Sequence, residues 1–432
     1  MGRQSAAEQA SAKWIESLSA FARDKLWRTW RDPSVLKTLL SRLYGLLETT
    51  PANLLQEFDQ FDEGALSLAA FRETSCLGRP ESFASARAAK DVLFRAAAVL
   101  RALDQVLFEG AEPNPGEAPD CWLTSDGEKY VVPIPRSVVS DGGPRSGQSF
   151  SRRGLLHHRV IPTRIGDVDI LIEQHTDLAL EPKPAEHIFG AALFAGFDLR
   201  YERSGAKGFL VTATDCAEGL PAAIERHCAA ARAGSCDTLL WPELTMNPAC
   251  VTQVQTFFVE NPLETLLPAV VIAGSWHVQG KNGHLNLAPV LNGRGDLMFA
   301  FGKNRRFSFD GLTEDINVYG KVHIIATDRE LIALAICKDF CDKARAVPAI
   351  SLDVDLVLVL SMGRPNTMTA HRDVADDMKV RFGTRTVIVQ QSYPRAPLEP
   401  AGYVFKALKD PRSAQLDALA ECADFTTFRR EL

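Results

Sequence analysis

The sequence predicts a layered α/β domain with a mixed, largely buried sheet over its second half, preceded by a separate helical region. Three observations carry that expectation. Apolar residues recur at helical spacing between residues 8 and 110, Pro, Gly and Ser break the pattern between 111 and 155, and from about residue 188 short β-rich runs alternate with helical ones. At 432 residues the chain has the length of two domains, the larger able to bury a substantial core.

The helical region shows three apolar faces. Trp14, Leu18, Phe21, Ala22, Leu26 and Trp30 mark the first, which Pro33 ends. Val35, Leu36, Leu39, Leu40, Leu43 and Leu47 mark the second, closed by Pro51; Val92, Ala96, Val99, Leu100, Leu103 and Leu107 mark the third, closed by Gly110. Stripes of this kind bury themselves, so the Trp residues read as core or interface rather than as a binding site.

Residues 111–187 read as linker and mobile loop, because EPNPGEAP and SDGGPRSGQSFSRRG have no hydrophobic period. The run Gly142 to Ser149 has the glycine spacing of a phosphate loop, but Gln148 stands where that loop needs Lys, and no helix pattern follows. It reads as linker. This divides the chain into a helical domain or extension at 1–110, a linker at 111–187 and an α/β domain at 188–432.

In that last part FLVTATD, DTLLWPE, AVVIAGSWHV, LNLAPVLN, DLMFAFGKN, ELIALAIC, VDLVLVLS and TVIVQQS read as strands, and PAAIERHCAAARAG and AHRDVADDMKVRFG as helices. The HRDVADD stretch reads as the solvated face of its helix. Functional residues are expected at strand ends and in the loops that follow.

Composition narrows the function classes. A net charge of −6 with 24% charged residues argues against nucleic-acid binding by general basicity and suits a small neutral or polar substrate. Nine cysteines, an odd number, and an N-terminus without an apolar core point to the reducing cytoplasm. No run approaches the 18 or so apolar residues of a membrane span. The opening Met-Gly is not a myristoylation signal, since Ala6 stands where Ser or Thr is needed.

Three positions put a reactive side chain directly after a buried strand. Glu243 follows Pro242, which cannot join a sheet ladder and so ends its strand; Lys303 follows Gly302; Cys337 closes LIALAIC ahead of Lys338 and Asp339. They lie 60 residues (243 to 303) and 34 residues (303 to 337) apart. Taken singly each has a structural reading, the Cys as a small core residue, the Lys as a solvated charge and the Glu as a helix cap; their order and spacing together are what stand out. Cys341, four residues past Cys337, lacks the further ligands that a metal site needs, so neither metal nor cofactor is expected.

In this order and context the sequence resembles the nitrilase, or carbon–nitrogen hydrolase, superfamily over about residues 188 to 405. The Pro-Glu of DTLLWPEL, the Lys after HLNLAPVLNGRGDLMFAFGK and the Cys of AICKD match that family's Glu, Lys and Cys positions, and AVVIAGSWHV is similar to its strand between Glu and Lys. The chain departs from the family in reading DFCDKARAVP after the Cys and VRFGTRTVIV before the late strand. The resemblance implies an αββα sandwich that pairs into a homo-oligomer, dimer or larger. It implies a Glu243–Lys303–Cys337 triad forming a thioester acyl-enzyme. Glu314 stands for the family's second glutamate, with Asp310 and Asp315 as rivals in the same acidic loop, and Lys338 and Asp339 line the substrate. The Lys338–Asp339 pair is closer to the amide-cleaving branches than to the nitrile-cleaving one, which places Trp-Glu there. A second reading is a catalytically inactive or regulatory domain of this fold, with the N-terminal helices binding a protein partner.

Overall fold

The structure, a computed structural model of the chain, describes residues 6–58, 60–77, 88–110, 119–133, 154–175, 186–261, 268–327, 330–341, 351–382, 384–394, 399–406 and 418–431. The glycine-rich run 142–149 and the segment 342–350 lie outside the described residues. The chain divides into two compact units, residues 1–164 with 380–382 and residues 165–379 with 383–432.

The first unit is built on helices α1 (Ala6–Ala22), α2 (Pro33–Glu48), α3 (Ala52–Phe58), α4 (Glu63–Thr74) and α5 (Ala89–Gly110). The apolar stripes meet in one core in which Leu18, Leu39, Leu43, Leu93, Leu100 and Leu103 have no exposed surface. Burial of such a side chain contributes about 1.5–3 kcal/mol. Pro33 does not end the first helix, as its position suggests, but begins the second. α1 stops at Ala22, Asp24 turns its carboxylate onto the Leu26 N–H to start a 3₁₀ turn, and Asp32 caps α2 with Pro33 at its first position. Strands Lys129–Val132 and Arg159–Pro162 pair antiparallel, and Val131 and Val160 join the helical core.

The stretch expected as linker therefore carries structure. Beyond the Lys129–Val132 and Arg159–Pro162 pair, Val168–Glu173 is a strand of the largest sheet, and the second unit opens at residue 165 rather than 188. Strands of four to six residues bury little alone and gain their place from partners distant in sequence, which local periodicity does not register.

The second unit stacks two sheets. One runs, in spatial order, Ala418–Cys422, Gly402–Lys406, Arg385–Ser392, Leu356–Gly363, Leu331–Ile336, Lys321–Ala326, Val168–Glu173 and Arg164–Ile165, with Leu331–Ile336, Leu356–Gly363 and Arg385–Ser392 parallel at its centre. The other runs Trp276–Gly280, Gly283–Leu291, Val270–Ile272, Thr238–Leu240, Glu186–Ala192 and Phe425–Glu431, with Leu297–Gly302 also paired to Gly283–Leu291. Phe189, Leu240, Ile272 and Val290 of the second sheet meet Ile332, Ile336, Leu358 and Val389 of the first in one buried layer.

Helices α6 (Leu220–Ala233) and α7 (Pro248–Glu260) cover the outer face of the second sheet through Ile224, Cys228, Val254 and Phe258 against Leu239, Trp241 and Val271. Helix α8 (Pro365–Phe382) buries Met368, Val374 and Met378 and touches the first sheet where His371 meets Ser361. The layering is αββα, as the resemblance implies. The HRDVADD stretch is only partly solvated. Asp373 and Asp376 are exposed, but His371 has no exposed surface, because one helix turn later the same face carries Val374 and Ala375 into the core. Among the described residues no helix is long and apolar enough to cross a membrane.

Candidate active site

Each reactive side chain sits at a strand tip that the local sequence locks. Thr238–Leu240 ends at Trp241, and Pro242 then turns the chain so that Glu243 points inward with only 2% exposure. The turn is held by the Thr245 hydroxyl donating to the Pro242 carbonyl at 2.8 Å and the Leu244 N–H donating to Ser275 Oγ at 3.1 Å. Leu244 takes a φ of 54° and Gly274, packed against it, 57°. A Cβ on Gly274 would come within 2.6 Å of Met246 and 2.8 Å of the Pro242 carbonyl oxygen, so only glycine lets the two segments approach.

Lys303 leaves the strand Leu297–Gly302 with its main-chain N–H bonded to the Asn286 carbonyl at 2.9 Å. Gly302 lies under the Tyr319 ring, which a Cβ would approach to 2.5 Å. Glu314 ends the short strand Leu312–Glu314, which is held in place by parallel pairing with Gly208–Asp215. Cys337 follows Leu331–Ile336 and turns at once into a 3₁₀ segment with a φ of 42°, a left-handed conformation that costs a non-glycine residue energy. The strained turn sends the side chain off the end of the sheet, with Sγ 3.7 Å from the Met362 carbonyl.

These tips converge. The Lys303 ammonium donates to Glu243 Oε1 and to Glu314 Oε2, each at 2.6 Å, and the buried Cys337 thiol lies close enough to Glu243 and Lys303 to feel both charges. Asn286 Nδ2 bridges the carboxylates, donating to Glu243 Oε1 at 3.2 Å and Glu314 Oε1 at 3.0 Å. His277 Nδ1 accepts the Val211 N–H at 2.9 Å, so Nε2 carries the hydrogen and donates it to Glu314 Oε1 at 2.8 Å. The Phe307 N–H completes the shell of Glu314 at 3.0 Å.

Burial and charge act in opposition here. Burial alone raises Glu314, but the Lys303 charge and the His277 hydrogen bond outweigh it and bring the carboxyl down to about 2. Burial lowers Lys303, yet the charges of Glu243 and Glu314 hold it well above its ordinary value. Glu243 is raised, since burial and the Glu314 charge together exceed the pull of Lys303. Burial and then the Glu243 charge push the Cys337 thiol well up. Glu314 and Lys303 therefore form a standing ion pair, and burial holds both the Glu243 carboxyl and the Cys337 thiol above their ordinary values.

The remaining expectations divide. Of the three acids in the 308–315 loop only Glu314 reaches Lys303; Asp310 is exposed in a turn and Asp315 accepts from the Ser204 hydroxyl. Asp339, expected to face substrate, instead accepts the Asn304 N–H on both carboxylate oxygens at 3.0 Å, which ties the Cys337 turn to the residue after Lys303. Lys338 is half-buried, and Cys341 is half-buried near the Cys337 thiol. His277, expected only as a solvated or hydrogen-bonded histidine without a role in the site, is hydrogen-bonded and reaches Glu314, and Asn286 was not foreseen. Asn286 had left a trace: it shares strand parity with the buried Ala288 and Val290, a polar residue where alternation calls for an apolar one.

No family model matches the chain, and no curated protein matches it. Among solved structures it is similar to an amidase from Nesterenkonia sp., at 11% identity over 58% of this chain and 91% of that one, with a TM-score of 0.41. A variant of that amidase, described as showing covalent addition of the acetamide moiety of fluoroacetamide at its active site cysteine, matches at 11% identity over 58% and 92%, with a TM-score of 0.41. Saccharomyces cerevisiae Nit3, described as a member of branch 10 of the nitrilase superfamily, matches at 13% identity over 57% and 90%, with a TM-score of 0.39. These three structures are thus an amidase, a variant of the same amidase and a member of the nitrilase superfamily, each similar to this chain over less than three fifths of its length.

Proposed function

We propose that this protein hydrolyses a non-peptide carbon–nitrogen bond, of amide or carbamoyl type, through a thioester on Cys337. The observation that carries the reading is the burial, at neighbouring strand tips, of a thiol, a raised carboxyl and a lysine whose charge is already balanced by Glu314. A structural ion pair needs one carboxylate for one ammonium. A second carboxyl, raised above its ordinary value and buried beside a thiol, is the arrangement of a proton carrier beside its nucleophile.

In this scheme Cys337 Sγ bonds to the carbonyl carbon as Glu243 takes the thiol proton. The Lys303 ammonium and the Lys338 main-chain N–H stabilise the oxyanion. Collapse of the tetrahedral intermediate breaks the carbon–nitrogen bond, and Glu243 gives its proton to the departing nitrogen. Glu243 then takes a proton from water, whose oxygen attacks the thioester; the acid leaves and the proton returns to sulfur. His277 and Asn286 hold Glu314 and through it the lysine, so their part is to fix geometry.

Ammonia release over a panel of primary amides, N-carbamoyl amino acids and nitriles tests the reading. Release is expected from amides or carbamoyl compounds and none from Cys337→Ala. Wild-type protein that releases nothing from the whole panel, while binding one of its members, would favour the regulatory alternative.

A further inference from the structure

Trp241, two residues before Glu243, is the bulkiest fully buried side chain among the described residues. Its indole Nε1–H donates to His227 Nδ1 on α6 at 3.2 Å, and His227 Nε2 lies 2.8 Å from Asp424 Oδ1. An indole N–H only donates, so Nδ1 is the bare nitrogen of the ring and the hydrogen on Nε2 goes to the carboxylate. Asp424 is held in turn by the Arg226 guanidinium, 3.0 Å from Oδ1, and by its own main-chain carbonyl, which accepts the Leu193 N–H at 2.7 Å. Arg226 also pairs with Glu218. A hydrogen-bonded chain thus runs from a half-exposed ion pair, through a fully buried imidazole, to the strand tip that carries Glu243.

A buried indole needs an acceptor, but a main-chain carbonyl would serve. A relay of two side chains, drawn from a helix and from a turn 197 residues further along the chain, is more than satisfying one N–H requires. Burial raises the Asp424 carboxyl, yet the hydrogen bonds from His227 and Arg226 outweigh it and bring it down to about 2, so the outer end of the relay is a full charge at neutral pH and its bonds are of the stronger kind. Packing with Ile224, Cys228 and Val254 settles where the indole lies, and the directional bond to His227 settles how it is turned. Little freedom remains between that ring and the Glu243 carboxylate. The Trp241 N–H is fixed to the Ile272 carbonyl at 3.1 Å, and Pro242 locks its own φ and bars Trp241 from helical conformations. A turn of the indole is therefore passed on to Glu243, whose Oε1 has to stay 2.6 Å from Lys303 Nζ.

We propose that His227 and Asp424 are positioning residues, which act through the Trp241 indole to hold the Trp241–Pro242–Glu243 tip in the one orientation that keeps the Glu243 carboxyl on Lys303. This role rests on Glu243 being the proton carrier of the reaction above. Neither residue touches the reacting atoms: both lie on the outer side of the second sheet, in the core shared with α6 and α7.

The test pairs turnover with a readout that needs no substrate. In full-length wild type, His227→Leu, His227→Gln, Trp241→Phe and the double variant of His227→Leu with Trp241→Phe, kcat and KM are measured on the primary amide that wild type cleaves fastest, hydrogen exchange is followed by mass spectrometry over residues 238–247, and melting curves control for folding. His227→Leu and Trp241→Phe should each lower kcat roughly tenfold with KM changed by no more than about twofold, and exchange over 238–247 should quicken in both. The double variant should be no slower than His227→Leu, since both changes cut the same chain. His227→Gln, whose amide oxygen accepts from the indole while its NH₂ donates to Asp424, should recover most of the lost kcat. An unchanged kcat in folded His227→Leu, or losses that multiply in the double variant, overturns the proposal; if His227→Leu does not fold, an unchanged kcat in Trp241→Phe overturns it. Quicker exchange in variants of a protein that releases no ammonia would sink the hydrolase reading and leave the brace standing, whereas unchanged exchange in both single variants sinks the brace whether or not ammonia is released.

Discussion

At the scale of single residues, the cluster separates groups whose removal affects chemistry from those whose removal affects the fold. Cys337→Ala should abolish any covalent adduct with a reactive amide or ester, whereas Glu243→Gln should form the thioester slowly and then retain it, since water has lost its base. Intact-mass spectra decide this, and an adduct on Cys341 would show the wrong sulfur to have been chosen. Neither change strands a charge, so melting should shift little. Lys303→Met differs, because it leaves Glu314 ionised and uncompensated in a site with 1% exposure. It should cost about 3–5 kcal/mol in a denaturant titration. Asp339 gives a pH signature. Burial, opposed by the Asn304 N–H, raises its carboxyl from 3.8 to about 7. Between those values the folded chain keeps a proton that the unfolded chain has released, so this group's contribution to stability falls as pH rises through that window, by at most about 1.4 kcal/mol per unit, and then levels. Asp339→Asn removes that slope. Urea melts of both proteins at pH 4.5 and 8 should show the wild type losing ground to the variant, and a constant difference would contradict the assignment.

At the scale of elements, the site depends on how strand tips are braced. Gly274→Ala pushes a methyl group into Met246 and the Pro242 carbonyl at a residue with φ of 57°. It should destabilise by about 1–3 kcal/mol and lower kcat more than it raises KM, since Glu243 shifts while the rest of the site stays in place. Equal kcat in a folded variant would separate the turn from catalysis. The same elements show what was legible in the sequence. Glu243, Lys303 and Cys337 were marked in the sequence because each follows a buried strand closed by Pro, by Gly or by a change to charged residues, and because their order and spacing resemble a known family. Asn286 and His277 were not, because each acts through Glu314, 28 and 37 residues away, which only the folded sheets bring close. The strands at 129–132, 159–162 and 168–173 escaped for a related reason: their partners are long-range and their own apolar content is small. Proline at position 33 was visible, but a helix start and a helix stop share that letter, and only the Asp32 cap distinguishes them.

At the scale of the whole molecule, the composition of residues 142–154, with Arg145, Arg152 and Arg153 among Gly and Ser, predicts trypsin cleavage there before elsewhere. Time-resolved digestion followed by mass spectrometry checks it, and protection of those bonds would contradict the linker reading of that run. The family resemblance further predicts a dimer or larger assembly, which light scattering at micromolar concentration would reveal. The pairing of Lys303 with Glu314 has a further consequence at this scale. With that couple self-neutralised, formation and breakdown of the proposed acyl-enzyme would bring no net charge into the interior, since the same proton would only move between sulfur, nitrogen and oxygen. The reaction is then electrically silent to the surroundings. Turnover of an uncharged amide should then be nearly the same at 50 mM and 500 mM salt despite the net charge of −6.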